Sequence, residues 1–402
     1  MASSEALSPA AIAERIERCR KGDFALRVVD SHGRAVPASI EAKHGRHRFL
    51  FGCNCFPLLG YPDPRQEAAY EERFADLFHY ATLGFYWGTY EPAPGETREE
   101  RLRAQAEWLK ARGIRRKGHP LVWHEVVPKW LPDDPDAVRG LALRRVRDLV
   151  GRFRGLVDWW DVLNELQAAG NFQNPVSSWV TRDGVAAVEE ALRAAREANP
   201  DAFLLYNDYQ IGDGLAAIVE ELLRRRAPAD ALGLQSHMHQ GETPLEEIWD
   251  RCERFAQYGL PLHFTELTVV SGKQGWMLQP WPDEEGGERR QADYTESLYR
   301  LLFSHPAVEA VTWWDLQDGA WMGAPGGLLR RDLSPKPAYE RLRSLVREEW
   351  TTEVRGRTDP QGVFRFRGFH GTYQVLTETD GVRSEHSVEL GPGQAEATLV
   401  VG

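Results

Sequence analysis

The 402-residue sequence predicts an α/β fold: a (β/α)8 barrel with a small β-sandwich module attached. Three observations lead there. Between residues 48 and 348, short apolar runs alternate eight times with amphipathic segments, the pattern of parallel strands joined by helices. Nearly every run finishes in polar or aromatic side chains. Beyond about residue 351 the pattern changes to short alternating strands split by "DPQG", "TDG" and "GPG" turns.

Taken in order, residues 1–23, "MASSEALSPAAIAERIERCRKGD", read as a helical extension, and "FALRVVDSHGRAVPASIEAKHG" within 24–47 reads as two strands around a turn at "DSHGR". A lone hairpin is marginal in water, so this pair is expected to pack on the C-terminal module, residues 349–402. The eight runs of the barrel, residues 48–348, are "RFLFGCNCF", "ATLGFYWG", "RRKGHPLVWH", "WWDVLNE", "FLLYNDY", "LGLQSHM", "PLHFTEL" and "VEAVTWWDL". Segments such as "REERLRAQAEWLKARG" and "DAVRGLALRRVRDLVGRF" between them repeat apolar residues at helical spacing. A chain of this length can bury such a core, because a TIM barrel absorbs roughly 250 residues as one unit.

Composition narrows the function classes. The net charge is -11 and the pI near 5.6, which removes the electrostatic footprint of a nucleic-acid binder. No window is apolar enough for a membrane span, and charges lie where a secretory signal would have its apolar stretch, so the protein is expected in the cytoplasm or outside the cell with a leader removed. Cys19, Cys53, Cys55 and Cys252 make neither a disulfide framework nor a metal-ligand cluster with His, and the expectation is no metal and no cofactor. Fourteen tryptophans suit a carbohydrate ligand, since sugar rings have apolar faces that stack on aromatic planes.

The stretch "VDWWDVLNEL" raises the chemical question, because a buried strand ends there in Asn164 and Glu165. A buried carboxylate is expensive unless it is paired or used. Glu266 ends the seventh run in the same way, and active sites of this barrel lie at the carboxyl ends of its strands. Two carboxylates across a barrel mouth suit glycosidic cleavage, in which one protonates the departing oxygen and the other attacks or stabilises the anomeric carbon.

The motifs "GHPLVWH", "WWDVLNE", "LLYNDY", "LQSHMH", "FTEL", "VTWWDLQDGAWM" and "LSPKPAY", in this order, resemble those of glycoside hydrolase family 10, the xylanase-type retaining enzymes. The resemblance implies that Glu165 is the acid/base, Glu266 the nucleophile, and Asn164 the partner of the sugar 2-hydroxyl. It further implies that His237, beside Gln235, orients the nucleophile. His119, Trp123 and His124 would surround the sugar next to the cleaved bond, Asn207 and Tyr209 would be the fifth-strand pair, and Trp314 and Trp321 would floor the glycone subsites. The implied function is endo-acting hydrolysis of β-1,4-linked xylose-based chains. Action on another plant β-glucan or decorated glycoside, or a non-catalytic carbohydrate-binding barrel, remains open.

Departures fall in the second run, where Tyr86 and Leu83 stand in place of the family's sugar-binding Lys and Asn. Thr268 replaces an acid in "TELT", and Glu125 brings a third carboxylate near the mouth, with a salt bridge to a basic neighbour expected. The long segment "VVSGKQGWMLQPWPDEEGGE", with Trp276 and Trp281, is expected to wall or cover the substrate.

Overall fold

In a computed structural model, which describes residues 5–276, 278 and 280–402, eight parallel strands close into a barrel. After β1 (Lys21–Val29) and β2 (Ser39–His47), the barrel strands are β3 (Leu50–Asn54), β4 (Tyr80–Gly84), β5 (Arg115–His119), β6 (Trp159–Asn164), β7 (Phe203–Asp208), β8 (Ala231–Met238), β9 (Leu262–Val269) and β10 (Val308–Trp313). β10 pairs with both β9 and β3, which closes the ring. Several outer helices start alike: Ser8, Asp63, Asp134 and Asn174 each cap a helix whose first residue is proline. The cap satisfies an orphan N–H, and proline has none to leave unpaired.

Strand register sorts the barrel interior into layers. Leu50, Tyr80 and Ala310, with Trp159 against them, form an apolar plug at the amino-terminal end. Further along the strands the interior turns polar, with Lys117, Asp161 and His119 all buried. The main apolar core lies outside the strands, between them and the helices.

β11 (Glu353–Arg357), β12 (Val363–Phe369), β13 (Gly371–Thr379), β14 (Val382–Leu390) and β15 (Glu396–Val400) complete a two-sheet sandwich with the early strands. The hairpin expected over residues 24–47 does not form. β1 lies between β12 and β15, whereas β2 lies between β11 and β13 in the opposite sheet. The turn at "DSHGR" is present, with Gly33 N–H donating to Asp30 O, but only Val29 and Ala35 bridge across it. Pro37 follows, which has no N–H for a ladder, and the chain crosses to the other sheet. Phe24, Leu26 and Val28 then face Ile40, Ala42, Tyr373 and Val375 across the sandwich core.

The N-terminal helix (Pro9–Arg20) fastens this module to the barrel. Arg20 donates to the carbonyls of Phe303, His305 and Val308, and Arg15 to Ser304 Oγ. All four cysteines are free; Cys53, Cys55 and Cys252 are buried in the core. No helix among the described residues is long and apolar enough to cross a membrane.

Candidate active site

Strand geometry brings the polar ends of β5 to β9 to one mouth. Glu165 follows β6 in left-handed backbone, φ 60°, a conformation that costs a non-glycine residue on the order of 1 kcal/mol or more. Its N–H donates to Asn207 O at 2.9 Å, which pins it. The carboxylate accepts from Asn164 Nδ2 at 2.9 Å and Gln235 Nε2 at 2.7 Å on one oxygen, and from Trp123 Nε1 at 2.9 Å on the other. Burial, then the charge of Glu266, outweigh these donors and push its pKa up to about 8.

Glu266, on β9, is 5% exposed. Asn207 Nδ2 donates to its Oε1 at 2.8 Å, His237 Nε2 lies 3.2 Å from Oε2, and His119 Nε2 lies 3.7 Å from Oε1. The same Asn207 amide donates to Asn164 Oδ1 at 2.8 Å, so amides link the two carboxylates. Asn207 Oδ1 accepts from Thr265 Oγ1 at 2.5 Å, and a Cβ at Gly233 would lie 2.3 Å from that oxygen. Glycine at 233 thus makes room for the central amide.

His119 is held from behind. Its Nδ1 is 2.8 Å from Asp161 Oδ2, which also pairs with Lys117 Nζ at 2.6 Å. Burial alone would raise the Asp161 pKa, yet Lys117 and His119 bring it below the usual value. A buried ionised pair therefore sits beneath the mouth and fixes the imidazole. His237 Nδ1 faces Thr268 Oγ1 at 2.9 Å, so the threonine of "TELT" partners this ring.

The opposite side of the mouth is aromatic. Trp314, following β10, places its ring 5.2 Å from His119, 5.9 Å from His237 and 5.5 Å from Phe56. Tyr86, following β4, lies 5.8 Å from Phe56 and 5.6 Å from both His119 and Trp123. Arg101 and Gln105 donate to the Phe56 carbonyl, and Arg145 to that of Phe85, so both backbones beside this wall are fixed. Asn54 Nδ2 donates to Asp315 Oδ1 at 2.9 Å and ties β3 to the segment after β10; burial pushes the Asp315 pKa up to about 6.

Of the residues read from the sequence, Glu165, Glu266, Asn164, Asn207, Gln235, His237 and Trp123 meet in one hydrogen-bonded group, with His119 Nε2 3.7 Å from Glu266. Trp314 and Trp321 stand beside it, Trp321 stacked on His237 at 4.4 Å. His124 is buried against Phe172, and Tyr209 is 46% exposed at the rim. Leu83 lies in the main core, so only Tyr86 of the second-run pair reaches the mouth.

Glu125 does not form the expected salt bridge: it is exposed and pairs with no basic residue among the described residues, and partial shielding of its carboxyl from water, with the charge of Glu266, raises its pKa. With His124 and Glu165 it forms a group whose candidate metal-donor atoms lie within 4.8 Å of one another. The Glu165 oxygens in that group already accept three hydrogen bonds. Sequence reading missed Phe56, Lys117, Asp161, Gly233 and Asp315. Only the buried charge in "RRKGH" and the Asp within "WWDVLNE" hinted at one of these pairs.

Residues 66–345 match the profile of "Glycosyl hydrolase family 10". Anti-sigma-I factor RsgI6 of Acetivibrio thermocellus is 29% identical over 399 residues, covering 96% of this chain and 48% of that protein. The chain therefore spans about half the length of that relative. Endo-1,4-beta-xylanase B of Thermotoga neapolitana is 28% identical over 283 residues, covering 65% of this chain and 78% of the relative. Among solved structures, a family 10 protein from Paenibacillus barcinonensis superimposes with a TM-score of 0.64 at 27% identity, over 75% of this chain and 96% of its own. The match spans most of the barrel and well over half of the chain, and the protein belongs to glycosyl hydrolase family 10.

Proposed function

We propose that the protein is a retaining β-glycoside hydrolase of the xylanase type, cleaving β-1,4-linked xylose-based polysaccharide or oligosaccharide by double displacement. The observation that carries this reading is the unlike surroundings of two adjoining buried carboxylates. Glu165, held up to about 8, keeps its proton at neutral pH, while Glu266 faces Asn207 and His237. That division suits an acid and a nucleophile. Relatives named endo-1,4-beta-xylanase support xylose as the sugar.

In the first displacement Glu266 attacks the anomeric carbon while Glu165 protonates the leaving oxygen, and a glycosyl ester forms on Glu266. Esterification removes the Glu266 charge, the second cause of the high Glu165 pKa. Glu165 thereby becomes easier to ionise when it must accept a proton from water. Asn164, which links Glu165 to Asn207, meets a sugar hydroxyl as the transition state develops, a role its contacts with both residues support.

The test is turnover of xylan and aryl β-xylosides by wild type, Glu266→Ala and Glu165→Ala. The reading expects no turnover in Glu266→Ala with an unchanged fold. It expects Glu165→Ala to keep its first step on substrates with good leaving groups. Full activity of Glu266→Ala ends it.

A further inference from the structure

A row of rings starts at Glu266 and ends in solvent. His237, 3.2 Å from the Glu266 carboxylate, stacks on Trp321 with centroids 4.4 Å apart and planes 6° from parallel. His239 meets Trp321 at 5.0 Å, and Trp276 lies 5.3 Å from His239. Trp276 is 62% exposed, so the largest apolar side chain available is left in water at the outer end of the row.

The segment that presents it is tied down on both sides. Gly275 N–H donates to His239 O at 2.8 Å, Lys273 N–H to Pro282 O at 3.0 Å, and Trp281 Nε1 to Met322 O at 3.0 Å. Arg290 donates to the carbonyls of Val270 and Gly272. Trp281 thus serves as an anchor and Trp276 as the exposed face. Two polar atoms near it, His239 Nδ1 and Gln274 Nε2, are buried without a hydrogen-bond partner. Buried polar atoms of this kind normally find one.

We propose that Trp276, with His239 and Gln274, is a subsite for a further sugar ring of a β-linked oligosaccharide, outside the ring held between Glu165 and Glu266. This rests on the hydrolase reading above. An exposed aromatic plane beside an imidazole with an unpartnered nitrogen matches a pyranose, whose ring face is apolar and whose rim carries hydroxyls.

The experiment compares kcat/KM on xylohexaose and on an aryl β-xyloside for wild type, Trp276→Ala and Trp276→Phe. The ratio of xylohexaose to aryl β-xyloside kcat/KM falls about 5- to 10-fold in Trp276→Ala, through KM and not kcat, and Trp276→Phe restores most of it. An unchanged ratio overturns the subsite and leaves the hydrolase reading intact. Wild type inert on both substrates overturns the hydrolase reading and the subsite with it.

Discussion

The two sides of the barrel mouth obey different rules. On the side built from β5 to β9, amides and carboxylates hydrogen-bond one another: Glu165 accepts three hydrogen bonds, and Asn207 serves both Asn164 and Glu266. On the side built from β10, β3 and β4, rings replace amides, with Trp314, Phe56 and Tyr86 packed edge to face. On the proposed reading, the first side fixes charge for bond breaking, which tolerates little change in geometry. The second presents ring edges and faces to the mouth. Charge and ring surface are thus housed in separate strand ends.

Breaking the polar side should have the largest effect. Glu266→Ala is expected to lower kcat by about 10⁴-fold or more, read by steady-state kinetics with circular dichroism as the fold control. Asn207→Ala should cost about 10²-fold in kcat and, by leaving buried groups unpaired, about 1–3 kcal/mol of stability in urea unfolding. Gly233→Ala should reproduce the same kinetic defect without touching an amide, because its methyl group would displace Asn207.

The pH dependence follows from Glu165. Its folded pKa, about 8, is raised above the ordinary 4.5, so between these values the folded state holds a proton that the unfolded chain has released. Stability therefore falls as pH rises from 4.5 towards 8, and Glu165→Gln should remove that fall and be the more stable protein at pH 8, by about 2–5 kcal/mol. Thermal unfolding of both proteins across that range checks the sign. The alkaline limb of kcat/KM in the wild type should sit near pH 8.

Breaking the aromatic side should have a smaller and different effect. A cavity of about 520 Å³ lies on the far side of Phe56 and Tyr86, lined also by Thr89 and Arg98. Tyr86→Ala should join it to the mouth, lowering KM for xylohexaose about 3- to 10-fold with little change in kcat. An unchanged KM and a lower kcat would instead place Tyr86 with the reacting groups.

The sequence made one side of the mouth legible and left the other half-read. Glu165, Glu266 and their neighbours each end a recognisable strand run, so alternation alone brings them together. Phe56 carries no such sign, since its role depends on Tyr86 and Trp314 arriving from distant strands. Lys117 and Asp161 could be suspected of pairing, but only adjacent parallel strands show that they do. The same limit explains the early β-strands. Alternation in residues 24–47 tells which side chains are buried, not which strand lies alongside, and β1 finds partners more than 300 residues away.

The most direct test is to treat the wild type with a 2-deoxy-2-fluoro-β-xyloside bearing a dinitrophenolate leaving group and locate any trapped sugar by peptide mass spectrometry. A single adduct on Glu266 is the predicted result. An adduct on Glu165, or release of the phenol with no adduct at all, would contradict the assignment of the two glutamates.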